Sequence, residues 1–447
     1  MIIAKFGGTS VSTKDRIQTI CDIIRSEQKR KPVVVVSAIR GVTDLLLSLH
    51  SASREEQKNI LSTIEQIHSD LIRSYWQNPP LDFSWYMKRC IREITALLGR
   101  KRYSAALQDR IVSYGEIMSS FIISKALSFA GIPAQQVVAT KLIVTDNNFG
   151  SAEFLPKETR QKTKKTLIPF IEKGIVPVVT GFIGSSISGK VTTLGRGGSD
   201  YSAAILGYAL RADEIQIWTD VDGILTSDPR VVENTEVLSI VSYREASELA
   251  AFGAKVLHPR TIRPAISAGI PVRVLNTLRP TAKGTRIEEK SVKQRHIAAI
   301  AAKRKITLVN LYSTDMLLSK GFLARVFSIF AKHNISVDLV SVSEVSVSVS
   351  LDNDEDLQKV VTELKEFTQV TVSQSFGMVS LIGEGIVGIQ NIMKNIFSVL
   401  DRLNIMVKMI SLGATDINIS LVLASSQVDE AVAVLHKEMI LKKGKTK

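Results

Sequence analysis

Two glycine-rich turns with basic side chains have the residue types of a phosphate-binding site. The first is Lys5-Phe6-Gly7-Gly8-Thr9-Ser10, and the second is Gly195-Arg196-Gly197-Gly198-Ser199-Asp200. Each follows apolar residues, and each is predicted to open an amphipathic helix. Glycine lets backbone N–H groups approach an anion closely, and the N-terminal end of a helix favours negative charge. Two such turns in one chain indicate a site for a polyanion.

Neither turn fits the commoner nucleotide-binding templates. The sequence lacks GxxxxGK[ST], and Asp200 stands where GxGxxG has its last glycine. A tight connection between a strand and a helix would account for either turn alone. Because Lys5 and Arg196 lie inside the turns, we favour a nucleotide site of another kind.

Composition and charge limit the class of protein. The 447 residues suggest two to four domains, and the 45% hydrophobic content is that of a globular protein. The only cysteines, Cys21 and Cys90, require no disulfide framework, which fits a reducing cytoplasm. No apolar run resembles a signal peptide or a membrane span, so we expect a soluble protein without a membrane partner. The net charge of +14 is spread along the chain without a nucleic-acid-binding signature, so no nucleic-acid partner is expected.

The first 290 residues alternate between strand-like and helix-like segments. This pattern predicts an α/β domain whose mostly parallel central sheet lies between helices. Residues 51–124 contain few strand signals and predict a helical insertion. The candidate strands are rich in valine and isoleucine, as in sheets that are buried on both faces, and comprise Ile2–Phe6, Pro32–Ala38, Pro133–Val138, Ile175–Gly181, Ile215–Thr219 and Pro271–Leu275.

After residue 296 the pattern becomes a repeat. Residues 306–374 predict one βαββαβ module, and residues 376–440 repeat its order of elements without the last strand. That omission would leave a sheet position unpaired. We therefore expect Ile297–Ala302 to supply the missing strand, so that the second module is built from chain on both sides of the first.

Five motifs, in this order, closely resemble aspartate kinase, a member of the amino acid kinase superfamily. They are KFGGTS at residues 5–10, Ser37-Ala38 with Gly41 and Thr43, GRGGSDYSAA at 195–204, TDVDGILTSDPR at 219–230 and GAKVLHP at 253–259. The two ferredoxin-like repeats resemble the regulatory ACT domains of that family. The resemblance covers nearly the whole chain, and we expect no attached homoserine dehydrogenase half.

The resemblance implies that Mg²⁺-ATP phosphorylates the β-carboxylate of L-aspartate, the first step toward lysine or diaminopimelate, threonine and methionine. An aspartate carboxylate has a pKa of about 3.9, so it is already an ionised nucleophile at neutral pH. Such a reaction needs basic side chains, backbone N–H groups and metal, rather than a general base. The resemblance implies Lys5 as the residue that stabilises the transferring phosphoryl group, and Asp200 as the residue that orients lysines or acts near the metal.

The same resemblance assigns the substrate and nucleotide contacts. Arg196 suits a bidentate grip on the substrate α-carboxylate, and Glu116 matches the acid that receives its amino group. Further contacts with aspartate are implied for Ser37, Thr43, Phe182 and Ser199. Residues implied for ATP are Lys5, Gly7, Gly8, Thr219, Asp220, Leu225, Arg230, Lys255 and Val256. Leu225 departs from the family, in which many relatives carry an aromatic residue.

The ACT-like repeats imply feedback control by an amino acid. The first repeat resembles the pocket of lysine-sensitive aspartate kinases at Met316, Ser319, Phe322, Leu323, Val337, Asp338, Ser343 and Glu344. Apolar residues would hold the stem of L-lysine, and an acidic group would hold an amine. Such a site is expected between repeats of two subunits, which implies a homodimer formed through the ACT domains.

Two alternatives remain open from the sequence. The chain could be another amino acid kinase, although Glu116 and the ACT-like repeats argue against it. It could also be a catalytically silent amino-acid sensor on a kinase scaffold, although Lys5, Arg196 and Asp200 are all present.

Overall fold

A computed structural model describes residues 1–99, 103–252, 259–290, 297–317, 320–352, 356–412 and 416–441. These residues form two compact units. The first holds the described residues of Met1–Ile224, Ser239–Tyr243 and Val256–Ser291. The second holds those of Leu225–Leu238, Arg244–Lys255 and Val292–Lys447. Two segments from the range 1–290, which was expected to form one domain, therefore group with the second unit.

The first unit is built on strands that come from distant parts of the chain. In chain order they are β1 Ile2–Phe6, β2 Pro32–Val36, β3 Ala134–Val137, β4 Val144–Thr145, β5 Val176–Thr180, β6 Ile183–Ser186, β7 Val191–Thr193, β8 Glu214–Thr219, β9 Ile240–Ser242, β10 Val272–Asn276 and β11 Thr285–Glu288. The helices up to residue 267 are α1 Lys14–Glu27, α2 Val42–Ser48, α3 Arg54–Tyr75, α4 Leu81–Leu98, α5 Ala105–Val112, α6 Tyr114–Phe129, α7 Pro156–Glu172, α8 Gly198–Leu210, α9 Tyr243–Ala251 and α10 Pro259–Ser267.

The central sheet of the first unit has the strand order β3-β5-β2-β1-β8-β10-β11-β9. All pairings from β3 through β10 are parallel, and β10 pairs with β11 in the antiparallel sense. Every residue of β1 and β2 is buried, as expected for strands covered on both faces. The predicted α/β class with a mostly parallel sheet is confirmed, and all six candidate strands lie in this sheet.

The predicted helical insertion consists of α3, α4, α5 and most of α6. A capping box starts α3, since the Ser53 backbone N–H donates to Glu56 at 2.7 Å and the Glu56 backbone N–H donates to the Ser53 hydroxyl at 3.4 Å. Apolar residues of these helices, including Ile64, Phe83 and Ile94, join the main core with residues of β1 and β2.

The second unit contains one six-stranded antiparallel sheet with the order β13-β14-β12-β15-β17-β16. Its strands are β12 Ala299–Tyr312, β13 Leu339–Val342, β14 Ser346–Leu351, β15 Gln369–Ile382, β16 Met409–Leu412 and β17 Asn418–Ala424. The remaining helices are α11 Phe322–Lys332, α12 Leu357–Leu364, α13 Ile392–Arg402 and α14 Val428–His436. Two separate apolar cores lie under this sheet, one for each module.

The strand expected to complete the second module has the required partner. Ala299 pairs with Ile382, and Ile300 pairs with Leu381, both in the antiparallel sense. The expectation of separate strands was wrong, because Ala299–Tyr312 is one continuous strand and Gln369–Ile382 is another. Irregular pairing between Lys303 and Leu308 carries the strand through the polar residues 303–305.

No helix among the described residues is long and apolar enough to cross a membrane.

Candidate active site

A cavity of about 710 Å³ in the first unit collects all of the predicted catalytic and substrate-binding residues. It lies at the carboxyl ends of β1 and β2 and at the first turn of α8. Side chains or backbone from both glycine-rich turns line it. The predicted residues on its surface are Lys5, Gly8, Ser37, Thr43, Glu116, Phe182, Arg196, Ser199 and Asp200.

Lys5 and Asp200 form an ion pair at the base of this cavity. The Lys5 Nζ lies 2.6 Å from Oδ1 of Asp200, and only 10% and 17% of the two side chains are exposed. Lys5 comes from the buried strand β1, whereas Asp200 comes from the first turn of α8. Partial burial strengthens the attraction and holds the ammonium group in place.

The first glycine turn approaches neighbouring backbone closely. A Cβ atom on Gly8 would lie 2.7 Å from the carbonyl oxygen of Ala38, so only glycine fits. The Gly7 N–H donates to the Trp218 carbonyl at 3.3 Å, which ties the turn to the end of β8. The expectation that this turn opens a helix directly was wrong, because α1 begins only at Lys14. Residues 9–13 form turns and bends between them.

The second glycine turn does lead directly into a helix. Gly195 and Gly197 have φ of +77° and +70°, and α8 begins at Gly198. The amide end of α8 therefore faces the cavity, where it favours an anion. The expected amphipathic character of α8 was wrong, since residues all around the helix are buried. Strand β1 and helix α10 both pack against it.

Close packing fixes Phe182 beside this turn. Phe182 has a φ of +67°, an uncommon conformation for a residue with a side chain. Its N–H donates to the Ser202 hydroxyl at 2.9 Å. A Cβ atom on Gly198 would lie 2.5 Å from Cδ2 of Phe182, and one on Gly181 would lie 2.6 Å from the Ser199 hydroxyl. The strained backbone thus sits where Phe182 and Ser199 meet the cavity.

Glu116 places a buried carboxylate on the cavity wall. Its Oε1 accepts a hydrogen bond from the Ala38 N–H at 3.1 Å, whereas its buried Oε2 has no hydrogen-bond partner among the described residues. Burial raises the pKa of Glu116 to about 8, against the opposing effect of the hydrogen bonds from backbone N–H groups. A cationic ligand group next to Oε2 would satisfy this oxygen and lower the pKa.

Two arginines bring positive charge to the same cavity. Arg196 and Arg40 both line it, and neither forms an ion pair with any described residue. Arg40 was missed by the sequence analysis, although it lies between Ala38 and Gly41 of a motif that was recognised. Their free guanidinium groups could each grip a carboxylate or phosphate in bidentate geometry.

Asp109 is a second buried acid that the sequence analysis missed. It accepts hydrogen bonds from the Gly150 N–H at 2.9 Å, the Thr193 N–H at 2.7 Å and the Thr193 hydroxyl at 2.9 Å. Burial raises the pKa of Asp109 despite these bonds. These contacts join α5 to β7 and to the 146–152 loop, so Asp109 shapes the cavity wall. An aspartate between the buried Leu107 and Ile111 was the available signal.

The predicted ATP-binding residues are only partly gathered at the cavity. Lys5 and Gly8 line it, and Gly7 lies next to Gly8. Thr219 ends β8 next to β1, and its hydroxyl donates to the carboxylate of Asp220 at 3.3 Å.

The other predicted nucleotide contacts lie elsewhere. Leu225 and Arg230 belong to the second unit, where the Arg230 Nη2 donates to Oδ2 of Asp228 at 2.7 Å. Lys255 and Val256 lie outside the described residues.

The predicted effector residues lie in the first module of the second unit. Met316, Phe322 and Val337 are partly buried against its core, and Leu323 is exposed. Asp338 is 3.5 Å from the Lys303 Nζ, which also forms a closer ion pair with Asp352, and burial together with Asp352 raises the pKa of Asp338 to about 6. The Ser343 and Ser346 hydroxyls are 2.7 Å apart, Glu344 is exposed, and Ser319 lies outside the described residues.

The structure offers no cluster of three or more His, Cys, Asp or Glu side chains that could hold a metal among its described residues. Asp200 is the acid that pairs with Lys5. One carboxylate together with substrate phosphates is an ordinary donor set for Mg²⁺, which usually keeps several waters. The residues present therefore fit a metal that arrives with a nucleotide.

Comparison with known families finds matches over most of the chain. Residues 1–276 match the amino acid kinase family, and residues 319–368 and 379–439 each match the ACT domain family. The lysine-sensitive aspartokinase 3 of Escherichia coli is 37% identical to this chain over 98% of it and 99% of the relative. Aspartokinase 1, chloroplastic, of Arabidopsis thaliana is 35% identical over 97% of this chain and 79% of that protein.

Solved structures agree with the sequence relatives. Escherichia coli aspartokinase III, in complex with aspartate and ADP in its R-state, superposes with a TM-score of 0.85 at 36% identity. The alignment covers 98% of this chain and 99% of that one. The same enzyme in complex with lysine and aspartate in its T-state gives equal values.

Proposed function

This chain belongs to the aspartokinase family, and on that premise we propose that the cavity of the first unit is its catalytic site. The enzyme is an aspartate kinase that transfers a phosphoryl group from ATP to the β-carboxylate of L-aspartate. The observation that carries the residue assignments is the cavity itself. It combines a lysine held by Asp200, an unpaired arginine at Arg196 and a buried carboxylate oxygen of Glu116 that has no partner among the described residues.

The reaction brings two anions together. An aspartate carboxylate is ionised at neutral pH, so no residue needs to remove a proton from it. The barrier comes from charge repulsion and from the charge that moves onto the leaving phosphate. Positioned cations and N–H donors lower that barrier most effectively in a site that excludes water.

Lys5 is proposed to stabilise the transferring phosphoryl oxygens. Asp200 holds the Lys5 ammonium at 2.6 Å and keeps it aimed into the cavity. The N–H groups at the start of α8 add fixed positive dipoles on the same side. Mg²⁺ would neutralise phosphate charge when ATP binds, with Asp200 as the available protein carboxylate.

Glu116 is proposed to bind the substrate amino group. Its unpartnered Oε2 would accept a hydrogen bond from the ammonium group, and its charge would offset that of the ligand. Arg196 is proposed to grip the α-carboxylate, while Ser37, Thr43 and Ser199 supply further polar contacts and Phe182 forms a wall. This arrangement would leave the β-carboxylate free to attack.

The nucleotide is proposed to bind where the first glycine-rich turn meets the end of β8. Gly7, Gly8, Thr219 and Asp220 meet near the ends of β1 and β8. Leu225, Arg230, Lys255 and Val256 remain ATP contacts predicted from the family motifs alone.

L-lysine is proposed as the inhibitor that acts at the ACT domains. The E. coli aspartokinase III structure with lysine supports this ligand, and Met316, Phe322 and Val337 form a suitable apolar surface. A homodimer formed through the ACT domains and a cytoplasmic location are further parts of this proposal.

One assay tests the activity and the site together. Purified protein supplied with ATP, Mg²⁺ and L-aspartate should form an acyl phosphate that hydroxylamine traps as a hydroxamate. Lys5→Ala should abolish this product, whereas Lys14→Ala, at the exposed start of α1, should retain it. Hydroxamate formation by Lys5→Ala at the wild-type rate would refute the proposed site.

The silent-sensor alternative makes the opposite prediction for the wild-type protein. It requires L-lysine binding, measured by calorimetry, without any aspartate-dependent consumption of ATP. A panel with L-glutamate in place of L-aspartate would identify another amino acid kinase.

A further inference from the structure

A second cavity in the first unit has the charge and size of a site for a small anion. It measures about 270 Å³ and lies between α4, the junction of α5 and α6, and the segment around residue 140. Its basic side chains are Arg89, Arg110 and Lys141, whereas Glu93 is its only acidic residue among those described. Among the residues that the structure describes, neither the glycine-rich turns nor any proposed contact of aspartate or ATP lines it.

The charge of Glu93 is already used within the cavity. Its Oε1 accepts a hydrogen bond from Arg89 Nε at 2.8 Å, and its Oε2 accepts one from the Tyr114 hydroxyl at 2.7 Å. Burial acts to raise the pKa of Glu93, but these bonds, together with the charges of Arg89 and Arg110, outweigh it and leave the pKa lowered. Glu93 therefore stays ionised and forms its ion pair with Arg89, while the charge of Arg110 acts on it without a salt bridge.

Arg110 and Lys141 bring positive charge to this cavity without forming salt bridges to the described residues. Across the described ranges, neither side chain forms an ion pair. The cavity between them also presents the Thr140 hydroxyl, and Tyr86 and Ile117 supply apolar surface. Two cations, a hydroxyl and an apolar wall are the groups that bind a phosphate or carboxylate on a small organic molecule.

The second cavity shares three elements with the proposed active site. Helix α5 turns Asp109 toward the first cavity and Arg110 toward the second. Helix α6 does the same with Glu116 and Ile117, and β7 contributes Thr193 to the first and Val191 to the second. A ligand that orders Arg110 would act on the same short helix that Asp109 anchors to Gly150 and Thr193.

We propose that this cavity binds a small phosphate- or carboxylate-bearing anion and that its occupancy alters the active-site wall through α5. A volume of about 270 Å³ is below the usual range for drug-sized ligands, about 300–1,000 Å³, so the ligand is smaller than a nucleotide. The anion site itself goes beyond the aspartate kinase reaction, whereas its coupling to the active-site wall rests on the proposed function.

Calorimetric titration with inorganic phosphate, and separately with succinate, tests the proposal and distinguishes the two sources of negative charge. The protein is held saturated with ADP and L-aspartate so that the active site is filled. Arg110→Gln and Lys141→Gln should each weaken binding of the preferred anion by roughly tenfold or more, since a charged hydrogen bond contributes about 1.5–3 kcal/mol. The double variant K88Q/R92Q removes two exposed charges of α4 that do not line the cavity, and should bind like wild type.

Equal affinity in wild type and in R110Q/K141Q would overturn the proposal, as would the absence of binding by both anions to the wild type. Equal losses in R110Q/K141Q and K88Q/R92Q would also overturn it, because they would show attraction by net charge alone. Retained thermal unfolding temperature in each variant shows that folding is intact. The coupling to α5 predicts a changed KM for aspartate in the presence of the bound anion, and an unchanged KM would refute that part.

Discussion

The ammonium group of Lys5 lies 2.6 Å from the carboxylate of Asp200, although the two residues belong to widely separated parts of the chain. The pair joins the end of a central strand to the first turn of α8. It places one fixed cation between the two glycine-rich turns, where the proposed phosphoryl transfer takes place.

Asp200→Asn should lower kcat by about 10²- to 10³-fold, because Lys5 would lose the partner that orients it, and preorganised charge is a large part of such catalysis. Hydroxamate formation with ATP and L-aspartate measures the effect. Asp22→Asn is a matched control, since Asp22 pairs with Arg25 on an exposed helix surface and should leave kcat unchanged. A normal kcat in Asp200→Asn would contradict the role of the ion pair.

The activity should depend on the ionisation of Glu116. Its pKa of about 8 means that the carboxylate is largely protonated in the free protein below that pH. Since the proposed role requires the charged form, kcat/KM for aspartate should rise as the pH increases toward about 8 and level off above it. Glu116→Gln should raise KM for aspartate by roughly tenfold or more and remove this rise. A Glu116→Gln profile that keeps the rise would assign it to another group.

Glu116 should also make stability depend on pH. Its pKa is raised from 4.5 to about 8, so between these values the folded protein holds a proton that the unfolded chain has released. Its contribution to the free energy of unfolding is therefore full below pH 4.5 and is lost as the pH rises through about 8. The free energy of unfolding, measured by urea unfolding, should fall more steeply with pH across this range in the wild type than in Glu116→Gln. Parallel curves would contradict the buried, unpaired state of this carboxyl group.

Gly198→Ala should damage the aspartate pocket, because the added Cβ atom would lie 2.5 Å from Cδ2 of Phe182. We expect a loss of about 1–3 kcal/mol in the free energy of unfolding and a raised KM for aspartate. Gly388→Ala is the comparison, since no atom lies within 4 Å of its added Cβ. Equal behaviour of the two variants would show that the turn accommodates a side chain.

Glu344→Gln should weaken inhibition by L-lysine without changing the uninhibited rate. Glu344 is exposed in the first ACT module and is a candidate to receive an amine of the effector. The lysine concentration for half-inhibition should rise roughly tenfold, the effect of losing one charged hydrogen bond. Glu366→Gln removes an equal charge from an exposed site of the same module and should be inhibited normally. Unchanged inhibition of Glu344→Gln would exclude Glu344 from the effector site.

Local patterns were sufficient for much of the fold. Runs of valine and isoleucine identified the strands of the central sheet, since a strand buried on both faces has no polar side to display. Repeated order of elements identified the two modules. Local patterns failed where pairing continues through polar residues. Residues 303–305 separate two stretches that were expected to be different strands, yet the antiparallel partner strand holds β12 together across them.

The candidate site likewise divides into residues that the sequence identified and residues that only the folded chain revealed. Turn composition was enough to single out Lys5 and Arg196, because glycine next to positive charge is typical of chains that bind an anion, whereas Asp200 and Glu116 were named through the family resemblance. Arg40 and Asp109 carried no comparable local signal, and only the folded chain shows that they line the same cavity.

The amino-acid sequence by itself determined the α/β class, the two repeats and the family, since these follow from short-range periodicity and from motifs. Only the tertiary structure decided that one oxygen of Glu116 is buried with no partner among the described residues, that Asp338 is paired with Lys303, and that a second basic cavity lies behind α5. Each of these depends on which distant side chains come within a few ångströms of one another, and on the water that folding removes from them.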